Sequence, residues 1–248
     1  MTRPSFKVLG VTLAIVLASS LFVSHAVADQ PLAALPSVGA SQGYAASQQF
    51  SMPGGMPPPG AGSNVKGGNK LPHDQTGTLT LTRAASDSVR VAASDGLDAF
   101  DQTLHADANG IIAQSSLANP FIDVFNTAAA MLAAAPASAQ KNAKWNIKVA
   151  APSWMSSMGM AVPKELSSVP VTITAVSVTT NAVTLHGEGK ADQTMATGMG
   201  SQTIELSVAT DCTIRSGNLK SCSRTTGIST TLASASYGFS ETTSLTAK

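Results

Sequence analysis

The chain has 248 residues, 43% apolar and only 12% charged, with 4% aromatic side chains and a formal net charge of +1. It is long enough to bury a core, while the weak charge excludes an electrostatic footprint for nucleic acid or an anionic membrane surface. The few aromatics argue equally against platforms for stacking bases or sugars.

The N-terminus reads as a secretory signal. Arg3 and Lys7 start it, Val8 to Val23 is apolar apart from small residues and hydroxyls, and Ala26-Val27-Ala28 matches a small-residue cleavage site. Cleavage after Ala28 removes two of the 15 cations and none of the 14 acids, so the mature 220 residues carry a net charge of −1. The apolar stretch is too short for the roughly 30 Å hydrocarbon core of a bilayer, and no Cys follows the cleavage site to take a lipid. The expected destination is periplasmic or extracellular, with no stable membrane anchor.

Residues 29–75 hold seven of the 13 prolines, with Pro57-Pro58-Pro59 and the pairs Gly54-Gly55 and Gly67-Gly68 among them. Such composition buries too little to offset its ordering entropy, so it predicts a disordered leader. The expected organisation is a signal peptide over 1–28, the leader over 29–75 and a β-rich domain over 76–248.

Thr78 to Thr82 and Ser88 to Val91 alternate with period two, and a third strand is expected from Ala99 to Ala106. Asp107-Ala108-Asn109-Gly110 reads as a turn into Ile111-Ile112. Aligned as a calcium loop, it lacks the first acid and the terminal Glu. One helix is well signalled: Asn119 caps it, Pro120 suits its first position, Asp123 complements the dipole and Pro136 ends it. Phe121, Phe125, Ala128 and Leu132 recur on one face, so the helix should lie on a sheet.

Lys144 to Val149 alternates with Trp145, Ile147 and Val149 inward. Val171 to Thr180 and Val183 to His186 form the next expected pair. A two-residue turn at Asn181-Ala182 would set Val178 opposite Leu185 and turn His186 to solvent. Glu188 follows His186 by two residues, but no third partner is placed for a metal or acid/base role. A long strand with Ile204, Leu206, Val208, Cys212 and Ile214 on one face then returns at Ser216-Gly217. Facing Cys212 with Cys222 requires one extra residue between Leu219 and Cys222, a bulge. A hairpin disulfide is the expected state of two cysteines in an exported chain, since their spacing is not that of a redox or zinc pair. Residues 201–248 contain 20 Ser or Thr, predicting two more strands with a hydroxyl-rich outer face.

Site chemistry is sparse. No nucleophile elbow, zinc-protease helix or phosphate loop occurs, and the mature histidines His73, His105 and His186 form no triad by spacing, so an enzyme is not expected and no cofactor is implied. Met155, Met158 and Met160 lie close together after Trp154, and Met195 and Met199 lie in a later Gly-containing stretch. Such thioethers suit either Cu(I) or irregular apolar gaps.

The order of elements, with early strands, an Asn-Gly turn, one helix ending at Pro136, a strand entered through Lys144-Trp145 and a long meander, resembles the exported half-barrel domains of bacterial lipoprotein carriers. That resemblance covers Thr76 to Lys248 and implies a sheet curled around its helix, with room for apolar cargo between them. Phe121, Phe125, Leu132, Trp145 and Trp154 would then be the ligand wall. The fold expected is mainly β (α+β), a curved, largely antiparallel sheet or half-barrel with one packed helix near 119–135. The expected function is a non-enzymatic structural or protein-interaction domain, its partner an unidentified envelope protein. A carrier of an apolar ligand and a copper-binding protein are the alternatives.

Overall fold

The computed structural model describes residues 34–51, 74–94, 99–113, 119–137, 139–152, 155, 163–197, 200–232 and 235–248. Ten strands form one antiparallel sheet. They are β1 (Ser41–Ser51), β2 (Gln75–Ala85), β3 (Ser88–Ser94), β4 (Ala99–His105), β5 (Lys144–Ala150), β6 (Ser168–Val178), β7 (Ala182–Thr197), β8 (Gly200–Arg215), β9 (Asn218–Leu232) and β10 (Ala235–Ala247). Their spatial order is β4-β3-β2-β1-β10-β9-β8-β7-β6-β5, so the sheet is open, and the first and last strands of the chain meet at its centre. Among the described residues, the helix α1 (Pro120–Ala133) connects the two edge strands and packs on β1, β5, β9 and β10.

The expected leader is corrected over residues 34–51. Ala34 and Leu35 are buried, and β1 pairs with β2 on one side and β10 on the other. Its inward positions Tyr44, Ala46, Gln48 and Phe50 mix apolar and amide side chains, which blurs the period of two. Two flanking ladders and the buried bonds of Gln48 hold the strand, and neither is visible in local composition. The signal peptide and the rest of the expected leader, residues 1–33 and 52–73, lie outside the described residues.

The helix starts as its sequence dictates: the Asn119 side chain accepts from the amides of Phe121 and Ile122, at 3.0 and 3.2 Å. The Asp107 carboxylate accepts from the amides of Asn109 and Ile111, and Gly110 has φ +77°, so 107–110 is a turn closed by its own side chain.

At the β8–β9 hairpin, Ser216 and Gly217 both have positive φ, as a two-residue turn matching strand twist requires. Ile214 faces Leu219 and Thr213 faces Ser221, so Lys220 is the extra residue and Cys212 faces Cys222. The expected bulge is there. The β6–β7 register differs from expectation. Val178 faces Val183 and Ala175 faces Leu185, because the link is three residues long and Val176 is an inserted residue. Thr179 fixes that link, its hydroxyl accepting from the Ala182 amide at 3.0 Å.

Strand β7 also runs on from His186 to Thr197, through Gly187 and Gly189. These glycines permit close approach rather than ending the strand: a Cβ on Gly189 would lie 2.0 Å from the Pro170 carbonyl oxygen, and one on Gly187 would lie 2.6 Å from Ile173 Cδ1. The sheet curls strongly here. The guanidinium of Arg224 on β9 donates to the Ala150 carbonyl of edge strand β5 at 2.9 Å, four strands away, across the concave side.

Candidate functional site

The concave face is a core rather than a bare trough. Phe121, Phe125 and Leu132 of α1, three of the expected wall residues, are buried against the sheet among Leu79, Leu81, Leu206 and Ile228. Trp145 is half-buried, and its indole donates to the Met131 carbonyl at 3.1 Å, tying β5 to the helix. Tyr44 meets Phe125 edge to face at 6.4 Å. Its hydroxyl is buried without a hydrogen-bond partner among the described residues, and burial raises its pKa well above that of a free phenol. Cys212 and Cys222 are bridged and buried, with Met131 Sδ 3.7 Å from Cys212 Sγ. Met155 is 2% exposed and fills the core. Trp154, Met158, Met160 and Met199 lie outside the described residues, and Met195 belongs to β7 rather than to a loop.

Through this apolar interior runs a row of polar side chains that composition alone does not reveal. Gln75, Gln48, Thr243, Arg224 and Thr210 stand side by side on β2, β1, β10, β9 and β8. Gln48 accepts from Gln75 and donates to the Glu241 carboxylate at 2.6 Å, which also accepts from Thr243 at 2.8 Å. Arg224, 4% exposed, donates to Thr226 at 3.1 Å and to Thr127 of α1 at 3.4 Å, besides Ala150. Burial lowers the Arg224 pKa, and the charges of Asp123 and Glu241 oppose that shift and retain the proton. The row therefore fastens sheet, helix and edge strand together. A period-two reading continued past the bulge places Arg224 with Cys222, Thr226 and Ile228 on the inward face, which is the signal that identifies it.

The convex face has two unlike halves. Across β2, β1, β10 and β9, the outward strand positions carry Ser, Thr, Gln, Ala or Gly, apart from exposed Asn218 and Lys220 where β9 leaves its turn. Hydroxyls there bond across strands: Thr225 with Thr242 at 3.0 Å, Ser244 with Ser223 at 3.2 Å, Ser41 with Thr82 at 2.6 Å. Strand spacing and alternation place these groups about 4.8 Å apart between strands and about 6.7 Å along them. Such a surface can make many weak, directional hydrogen bonds while demanding little desolvation of charge.

The β7–β8 half is charged. His186 Nδ1 lies 2.8 Å from Asp211 Oδ1, and its Nε2 lies 3.9 Å from Glu188 Oε2. Spacing alone leaves His186 and Glu188 without a third group. The β7–β8 register supplies Asp211, directly opposite His186. Lys190 pairs with Glu205 at 3.0 Å on the same face. Among the described residues no group of three or more His, Cys, Asp or Glu is arranged to enclose a metal ion. No family model, no curated protein and no solved structure matches this chain.

Proposed function

We propose that this protein is an exported, non-enzymatic interaction module that presents the uncharged hydroxyl face of β2, β1, β10 and β9 to another macromolecule of the cell envelope. The observation that carries this reading is the division of labour between the faces. The concave side is closed by its own helix and a hydrogen-bonded polar row, whereas the convex side offers a broad, regular hydroxyl array whose charges, Lys220 and Lys248, stand only at its rim. Export follows from the N-terminal pattern, and the buried Cys212–Cys222 bridge suits an oxidising compartment.

One observation favours a carrier as the second reading: the sheet curls far enough for Arg224 to reach the edge strand, as a half-barrel would. Cargo on that side would have to displace Phe121, Phe125 and Leu132. Native mass spectrometry of the chain purified from its own host separates the readings. The module is expected as the mature oxidised chain, free of small molecules. A stoichiometric lipid would establish the carrier instead, and a bound Cu(I) would establish the thioether site.

A further inference from the structure

The charged half of the convex face carries a feature that the interaction reading does not use. His186 and Glu188 are two residues apart on β7, hence on the same face, and Asp211 stands opposite on β8. An ionised carboxylate can only accept, so with Asp211 as carboxylate the neutral His186 ring donates through Nδ1–H in this 2.8 Å contact and carries its lone pair on Nε2. That lone pair faces the Glu188 carboxylate across 3.9 Å. Two acceptors facing each other repel, and a proton or a cation between them removes the conflict. The separation is close to what a cation needs: with metal–donor distances of about 2.0–2.2 Å a tetrahedral zinc holds two donors about 3.3–3.6 Å apart, which a small rotation of the exposed Glu188 side chain reaches.

A carboxylate on the far nitrogen of a ligating imidazole is also the usual outer partner in metal sites, where it fixes the tautomer and raises the basicity of the ligand. The surroundings favour positive charge. Glu188 and Asp211 flank His186 directly, whereas the nearest cations on this face, Lys190 and Arg215, stand four residues along β7 and β8, Lys190 is engaged by Glu205, and Lys144 of β5 is two strands away beyond Thr174. The side chains of His186 and Glu188 are 38% and 79% exposed, so water can complete the coordination.

We infer that His186 and Glu188 form an exposed two-donor site for a divalent transition cation of the zinc class, with Asp211 as the positioning residue for the imidazole. With only two protein donors the site exchanges its ion readily, as a sensing or recruiting surface would.

The test uses the mature full-length chain without an affinity tag, titrated with zinc chloride by calorimetry and followed by nitrogen-15 imidazole spectra. One saturable site is expected, with the Nε2 resonance of His186 moving on binding. H186A and E188Q should abolish saturation, D211N should weaken it about 10- to 100-fold, and R90Q, on a distant pair of strands, should leave it unchanged. Glu188, Asp211 and Arg90 are exposed and His186 is half-buried, and thermal melts verify that each variant folds. Absence of saturable binding in the parent chain, or binding that survives H186A, would overturn the site. A D211N chain that binds as the parent does would remove the role given to Asp211.

Discussion

Arg224 is the residue whose loss this account makes most costly. Replacing it with methionine keeps the apolar bulk of the stem but removes a buried cation that donates to Thr226, Thr127 and Ala150. The Ala150 carbonyl loses that donor, and Asp123 and Glu241 lose their nearby positive charge. Removing one partner of a buried charged group costs about 3–5 kcal/mol, because the remaining charge stays desolvated. For a chain of this size that corresponds to a fall of roughly 6–20 °C in melting temperature. Urea denaturation of the oxidised chain, followed by tryptophan fluorescence, gives the free energy directly. The double variant R224M/E241Q should recover part of the loss, since the neutral amide no longer needs a counter-charge. A loss under about 1 kcal/mol for R224M would place it with ordinary surface changes and refute the buried row as a fastening.

Four further outcomes follow. A chain beginning at Thr76 lacks β1 and exposes the inner edges of β2 and β10, so it should aggregate, whereas one beginning at Ala34 should remain monomeric by light scattering. G189A must push β6 away from β7 to clear the Pro170 carbonyl and should cost about 1–3 kcal/mol by chemical denaturation, while G43A, whose new Cβ would meet only ordinary contacts at 3.9 Å, should show no such cost. Mutating both cysteines to serine should lower stability by up to about 2.7 kcal/mol, the loop-closure value for this hairpin, and intact mass of the parent chain should rise by two hydrogens on reduction under denaturing conditions. Tyr44 has its pKa raised by burial, so its contribution is complete below the pKa of an unfolded phenol and is lost as pH rises above it. The parent chain should therefore lose about 1.4 kcal/mol per pH unit relative to Y44F above roughly pH 10, measured by urea denaturation at each pH.

Much of this architecture was legible in the sequence because its signals are local. The Asn119 cap and Pro136 bound the helix, alternation marks β2, β3, β5 and β8, and the parity of Cys212 against Cys222 requires the bulge that Lys220 supplies. What could not be read depends on partners distant in the chain. Strand β1 looks like a polar, weakly patterned stretch until Gln48 is given Glu241, 193 residues away. Gly187 and Gly189 look like breaks until the neighbouring strand shows why no Cβ fits. Of the site residues, the cysteine pair was recoverable from spacing and compartment, while Asp211 as the partner of His186 needed the β7–β8 register. Phe121, Phe125 and Leu132, which helical periodicity groups on one face of α1, are buried there, and the sheet fills the space in front of them.

The central claim, that the convex hydroxyl face is where this molecule meets its partner, is tested most directly by site-specific photo-cross-linking in the native host. A photoreactive residue at Thr225, midway along β9 on that face, should give one discrete macromolecular adduct that disappears when the adjacent Thr242 is changed to lysine, while the same probe at Lys220, by the β8–β9 turn, should give none. An adduct at Lys220 with none at Thr225, or a Thr225 adduct indifferent to the T242K change, would contradict it.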